Sequence, residues 1–234
     1  MDTLPIYISI IFGLTTILTV AVFYIAANKS KTTLIILLAW LVIQAGISLT
    51  GFYTVTDTIP PRFLLLVIPP LLVIIGLFST SKGRQYLDSL DAKTLTLLHT
   101  IRILVELVLF WLFLNKKVPE LMTFEGRNFD ILSGLTAPIV YFFGFIKKQL
   151  NKTILLLWNF ICLGLLINIV FIAVLSAPSP FQKFAFDQPN TAVLYFPFTW
   201  LPACVVPLVL LSHLATIRQL LKKGKTTATT NIIL

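Results

Sequence analysis

Apolar residues run along this chain in blocks of roughly 18 to 24, the length a helix needs to cross a hydrocarbon core. Seven such blocks are predicted: Leu4 to Ala27, Leu34 to Tyr53, Phe63 to Phe78, Leu95 to Leu114, Phe129 to Phe145, Ile154 to Leu175 and Ala192 to Ile217. Helices are expected because a closed barrel would show alternating strands of about ten residues, whereas these blocks are longer and apolar all round. The fold class read from the pattern is all-α, a polytopic transmembrane bundle of about seven spans.

Composition agrees with the pattern. Of 234 residues 57% are hydrophobic and 12% charged, and the mean hydropathy is +0.95. A soluble domain of this size would lack the polar surface to face water. The expected place is therefore a cell membrane, crossed many times, with the bilayer as the chief partner and an unidentified small molecule or ion as the other.

The formal charge of +9 does not point to nucleic acid, because the basic residues sit in short connections between apolar blocks. If odd-numbered connections share a side with the tail, that side holds twelve of the eighteen, among them Lys29, Lys31, Lys82, Arg84, Lys147 and Arg218. The other side holds Arg62, Lys116, Lys117, Arg127 and Lys183, and Arg102 falls within the fourth block. The positive-inside rule then puts the amino terminus outside and the carboxyl terminus in the cytoplasm, an alternation that an even number of spans would spoil. Residues 1–221 read as one domain and 222–234 as a short basic and polar tail. The first block lacks a preceding basic region and is too long for a cleaved signal. Cys162 and Cys204 lie inside apolar blocks and read as small buried hydrophobes.

The fourth block carries the candidate chemistry. His99, Arg102 and Glu106 are three and four residues apart and share one helical face. Each ionisable group in hydrocarbon costs roughly 2.5 to 3.5 kcal/mol, so this face is expected to turn into the bundle, with Arg102 and Glu106 paired. His213 falls at a similar depth in the seventh block and meets His99 if the two helices are neighbours. A proton relay, a haem or metal held between His99 and His213, and two unrelated interfacial histidines are the competing readings. No other cofactor is expected.

A second candidate lies before the fifth block, where acids, an arginine and aromatics mix in Glu120-Leu-Met-Thr-Phe-Glu-Gly-Arg-Asn-Phe-Asp130. Glu125, Arg127 and Asp130, with Arg62 facing them, are read as an outer mouth. Gly126 is expected to supply a special backbone angle and Asp130 to cap the next helix. Asn159, Asn168 and Gln44 are expected to hold helices together. Prolines 197, 202 and 207 are expected to break the outer half of the seventh span. Phosphate-binding glycine loops, HExxH and GxSxG are absent.

The stretches Pro60-Pro-Arg-Phe63, His99-Thr-Ile-Arg102 to Glu106 and Met122 to Asp130 resemble those of an uncharacterised family of bacterial seven-span membrane proteins, which implies a bacterial cytoplasmic membrane and no particular activity. The length and span number are similar to those of seven-span sugar transporters built as three, one and three helices, an analogy of topology only. A parallel repeat of spans 1–3 and 5–7 is one expectation that follows. The leading functional expectation is a small transporter or channel-like protein with a polar site between spans four, three and seven. An intramembrane lipid-modifying enzyme using Glu125, Asp130 or Glu106, and a non-catalytic subunit or sensor, are the alternatives.

Overall fold

The computed structural model describes residues 4–223, and among them the chain is helical with no strand. The expected tail lies outside the described residues from position 224 onward. Nine α-helices follow one another: α1 (Ile6–Ala26), α2 (Lys31–Leu49), α3 (Leu64–Ser79), α4 (Ser81–Ser89), α5 (Ala92–Leu98), α6 (Ile101–Leu114), α7 (Ile131–Val140), α8 (Lys152–Ser176) and α9 (Val206–Lys223). Wide turns of the π type continue α7 over Tyr141–Ile146 and precede α9 over Leu201–Val205.

Every predicted block is helical, but they are not seven equal spans. Five helices are long and apolar enough to cross a membrane, and a sixth qualifies if α3 and α4 are taken together. That pair is bent by 97°. The bend is built in: the Thr80 hydroxyl accepts from Gly83 N at 3.1 Å to start α4. Arg84 meanwhile donates to the last carbonyls of α3, at 3.1 Å to Phe78 O and 2.8 Å to Ser79 O. The fifth block forms a shorter apolar helix, Ile131–Ile146. At 1.5 Å per residue it is about 24 Å long, less than a hydrocarbon core.

Local chemistry sets the other helix starts. Ser30, Asp91 and Asn151 each accept from the backbone N–H three residues on, opening α2, α5 and α8. Leu201 to Lys222 forms the centre, with 61% of its apolar window buried against 17% for α2. Around it pack α5 and α8, while α1 lies on α5 and α6. The threonines that α1 buries, Thr15, Thr16 and Thr19, bond back to carbonyls four residues earlier, so they bury no unmet hydroxyl.

Proline breaks supply further links. Pro207 has no N–H to offer the Ala203 carbonyl four residues before it, and Trp40 Nε1 donates there at 2.9 Å. Trp200 Nε1 donates in return to Leu41 O at 3.0 Å, so α2 is stitched to the start of the last helix from both sides. Outward faces remain apolar: Ile6, Ile36, Val42, Leu72, Ile139 and Phe171 are more than half exposed. Exposed apolar faces of this kind are compatible with lipid.

Candidate functional site

The buried ionisable groups gather where α5, α6, α7, α8 and α9 meet. The helix of the fourth block tightens at His99 and Thr100, where bonds reach back three residues: His99 N to Thr96 O and Thr100 N to Leu97 O. Below and above that turn His99, Arg102 and Glu106 are all buried, exposed by no more than 2%. Gly134 in α7 permits the close approach that follows, because a Cβ there would sit 2.8 Å from Ile103 Cγ1 and 3.4 Å from Arg102 Cβ.

Arg102 is the hub. Its Nη2 lies 2.7 Å from Asp130 Oδ1, and both side chains are buried. Nη2 also donates to Cys162 O at 3.3 Å. Nη1 lies 3.2 Å from His213 Nε2. A guanidinium only donates, so this nitrogen of His213 accepts and its proton is on Nδ1. That Nδ1 donates to Asn159 Oδ1 at 2.9 Å, and Asn159 Nδ2 donates to Leu155 O at 2.9 Å. The two contacts of His213 agree on one tautomer.

His99 completes the branch by stacking on His213, ring centroids 3.8 Å apart and planes 16° from parallel. Trp158 stands edge-on to His99 at 5.6 Å and donates from Nε1 to Thr136 Oγ1 at 2.9 Å. The His99 Nδ1 is buried without a partner. Face-to-face rings cannot present their nitrogens to one iron or metal between them, and His213 uses both of its nitrogens. A haem or metal at this pair would need the Arg102 bond broken and the rings turned apart. Among the described residues, no three His, Cys, Asp or Glu side chains converge as a metal site.

Glu106 belongs to the other branch. Its Oε1 accepts from Asn128 Nδ2 at 2.6 Å, and its Oε2 is buried with no partner. The expected Arg102–Glu106 pair is therefore replaced by Arg102–Asp130. Asp130 reaches Arg102 because residues 118–130 fold into the bundle instead of skirting it: Met122, Thr123 and Asn128 are fully buried. The short helix Ile131–Ile146 follows directly on this inward loop. Asn128 ties the loop down, donating also to Met122 O at 3.0 Å and accepting from Asp130 N at 3.0 Å.

The expected outer mouth does not assemble. Asp130 neither caps α7 nor faces outward, its carboxylate being drawn to Arg102. Glu125 and Arg127 are exposed without an ion pair among the described residues, and Arg62 lies over the Phe52 ring at 4.8 Å. Gly126 is required for close packing rather than for its backbone angle, since a Cβ would collide with the Glu120 carbonyl. The third span is absent from the polar site as well. Gln44 is held by the Tyr53 hydroxyl, and Asn168 donates to Arg127 O at 3.0 Å.

Residues 59–221 match a domain of unknown function, DUF8737. The chain belongs to that family. The matched stretch contains the whole buried network, from His99 to His213. No curated protein matches this chain. No solved structure matches it either.

Proposed function

We propose that this DUF8737 protein is a seven-span integral membrane protein, amino terminus outside and carboxyl terminus cytoplasmic, that works as a small proton-linked transporter. In this reading Glu106 carries the proton. The third span is α3, with α4 lying along the cytoplasmic interface beyond the 97° bend, and the short fifth span is completed outward by the buried loop 118–130.

The observation that carries the reading is the charge balance of the network. It holds one guanidinium, Arg102, and two carboxylates, Asp130 and Glu106, beside His213, which its contacts with Arg102 and Asn159 hold as a neutral imidazole. Asp130 already balances Arg102. An ionised Glu106 would be a second, uncompensated charge with one oxygen facing no donor. Such burial is costly enough that a group holds a proton instead. A carboxyl that must be neutral when enclosed, and can ionise only when the site opens, is what coupling to a proton requires. Intramembrane carboxylates and histidines in chains serve as proton relays in pumps and transporters. His213 and His99 extend the network toward the basic end of the bundle.

The lipid-enzyme alternative has less support, because Glu125 is a lone exposed acid and Asp130 is fixed by Arg102. The test is a proteoliposome with an entrapped pH-sensitive dye and an imposed pH gradient. Proton flux through the wild type should vanish in Glu106→Gln, and unchanged flux in that variant removes the assignment.

A further inference from the structure

On the opposite face of α9 lies a cavity of about 710 Å³, walled by α2, α3, α4 and α9. Its volume is that of a ligand pocket, in the range of roughly 300 to 1,000 Å³. Leu208 and Leu211 form its back, while His213 on the same helix turns the other way into the polar network. The cavity and the network are thus separated by one helix.

The walls are apolar and the cavity opens sideways. Ile36, Ile43 and Val73 line it and are also more than half exposed, and α2 and α3 make at most marginal contact with each other. The prolines 69 and 70 of α3 and Pro207 of α9 face the space. Polar groups occur at one end only, where Ser30, Thr33 and Tyr86 form a rim and Thr33 Oγ1 lies 3.1 Å from the Tyr86 hydroxyl.

The charge at that end is positive and unanswered. Lys31 stands between the lining residues Ser30 and Thr32. Lys82 is one turn before Tyr86 on α4 and shares its face. Both are exposed, and neither has an ion-pair partner among the described residues, where the three ion pairs belong to Arg102, Arg218 and Lys222.

We propose that this cavity holds one acyl chain of an anionic phospholipid from the surrounding bilayer, with its phosphate at the Ser30–Thr33–Tyr86 rim between Lys31 and Lys82. An apolar chain enters through the side opening without leaving hydrocarbon. The phosphate finds hydroxyl donors and two cations at the level where the helices end. A zwitterionic lipid would offer the same chain but bring its own cation to the lysines. This inference does not depend on Glu106 or on proton transport.

The experiment uses the full-length protein in phosphatidylcholine vesicles carrying a trace of lipid with a photoreactive diazirine near the end of one acyl chain. The tagged lipid is phosphatidylglycerol in one arm and phosphatidylcholine in the other, and labelled peptides are mapped by mass spectrometry. Tagged phosphatidylglycerol should label peptides spanning 36–43 and 69–77 in preference to tagged phosphatidylcholine. That preference should fall by about fivefold for each of Lys31→Gln and Lys82→Gln. Ala39→Phe places a ring in the cavity from an exposed position and should remove the labelling while leaving the thermal unfolding midpoint unchanged. Equal labelling by both lipids, or labelling that Ala39→Phe leaves intact, would overturn the proposal.

Discussion

Arg102 Nη1 meets His213 Nε2 at 3.2 Å, across 111 residues of sequence. This contact joins α6 to α9 and forces the neutral, Nδ1-protonated form of the imidazole. It also makes the arginine answerable to two partners, because its other terminal nitrogen faces Asp130.

Removing one member of the buried pair should therefore be far worse than removing both. Arg102→Met leaves the Asp130 charge alone in the bundle and should destabilise by about 3 to 5 kcal/mol. Arg102→Met combined with Asp130→Leu should recover most of that loss. Thermal unfolding in detergent measures both. Equal losses in the single and double variants would show that Asp130 is not the partner.

Asn159→Leu tests the orientation of His213. The variant strips the acceptor from a buried Nδ1–H, which should cost about 1 to 3 kcal/mol. The change should also loosen the stack with His99, read as increased hydrogen exchange around residues 97–101 and 211–215. A neutral effect would mean that the imidazole is held by Arg102 alone.

Glycines at close approaches should be intolerant of a methyl group. Gly134→Ala would bring a Cβ within 3.0 Å of Ile103 N and should cost about 1 to 3 kcal/mol. Gly13→Ala, where nothing lies within 4 Å, is the control and should be silent. Comparing their unfolding midpoints checks that α6 and α7 are as close as the ion pair requires.

At the basic end, α4 is clamped to α9. Arg218 Nε and Lys222 Nζ donate to Asp88 at 2.9 and 2.8 Å, and Gln219 donates to Leu87 O and Leu90 O. The Arg218 bond first, then that from Lys222, holds the Asp88 carboxyl below its ordinary value of 3.8. A lowered value means that the clamp is fully present above the ordinary carboxylate range and is lost as pH falls through the lowered one. The pairs are partly exposed, so each contributes about 0.2 to 1 kcal/mol. Acidification below pH 4 should increase hydrogen exchange at residues 87–90 in the wild type, while Asp88→Asn should show the increase already at neutral pH.

Much of this was legible in the sequence, and the failures have a common cause. Block length alone located every helix except α4, and the spacing of His99, Arg102 and Glu106 was enough to turn that face inward. Periodicity says which face is buried but not what it meets. Asp130 became the partner of Arg102 because the loop before α7 folds inward, and no local pattern distinguishes a loop that dips from one that skirts. The mixture of Asn128, Asp130 and Gly126 was the available signal, and it pointed to an outer mouth when the groups in fact face inward. Asn159 was visible as an amide in an apolar helix, but its partner lies 54 residues away. The sideways cavity had no signature beyond its prolines, since an apolar wall reads the same whether it meets a helix or a lipid.

The proposed transport role requires Glu106 to hold a proton within the closed bundle. Infrared difference spectroscopy of the reconstituted protein, titrated with pH and repeated in deuterated water, tests it directly. A carboxylic-acid C=O band should be present at neutral pH, shift on deuteration and vanish in Glu106→Gln. A band that survives Glu106→Gln, or its absence from the wild type at neutral pH, would contradict the account.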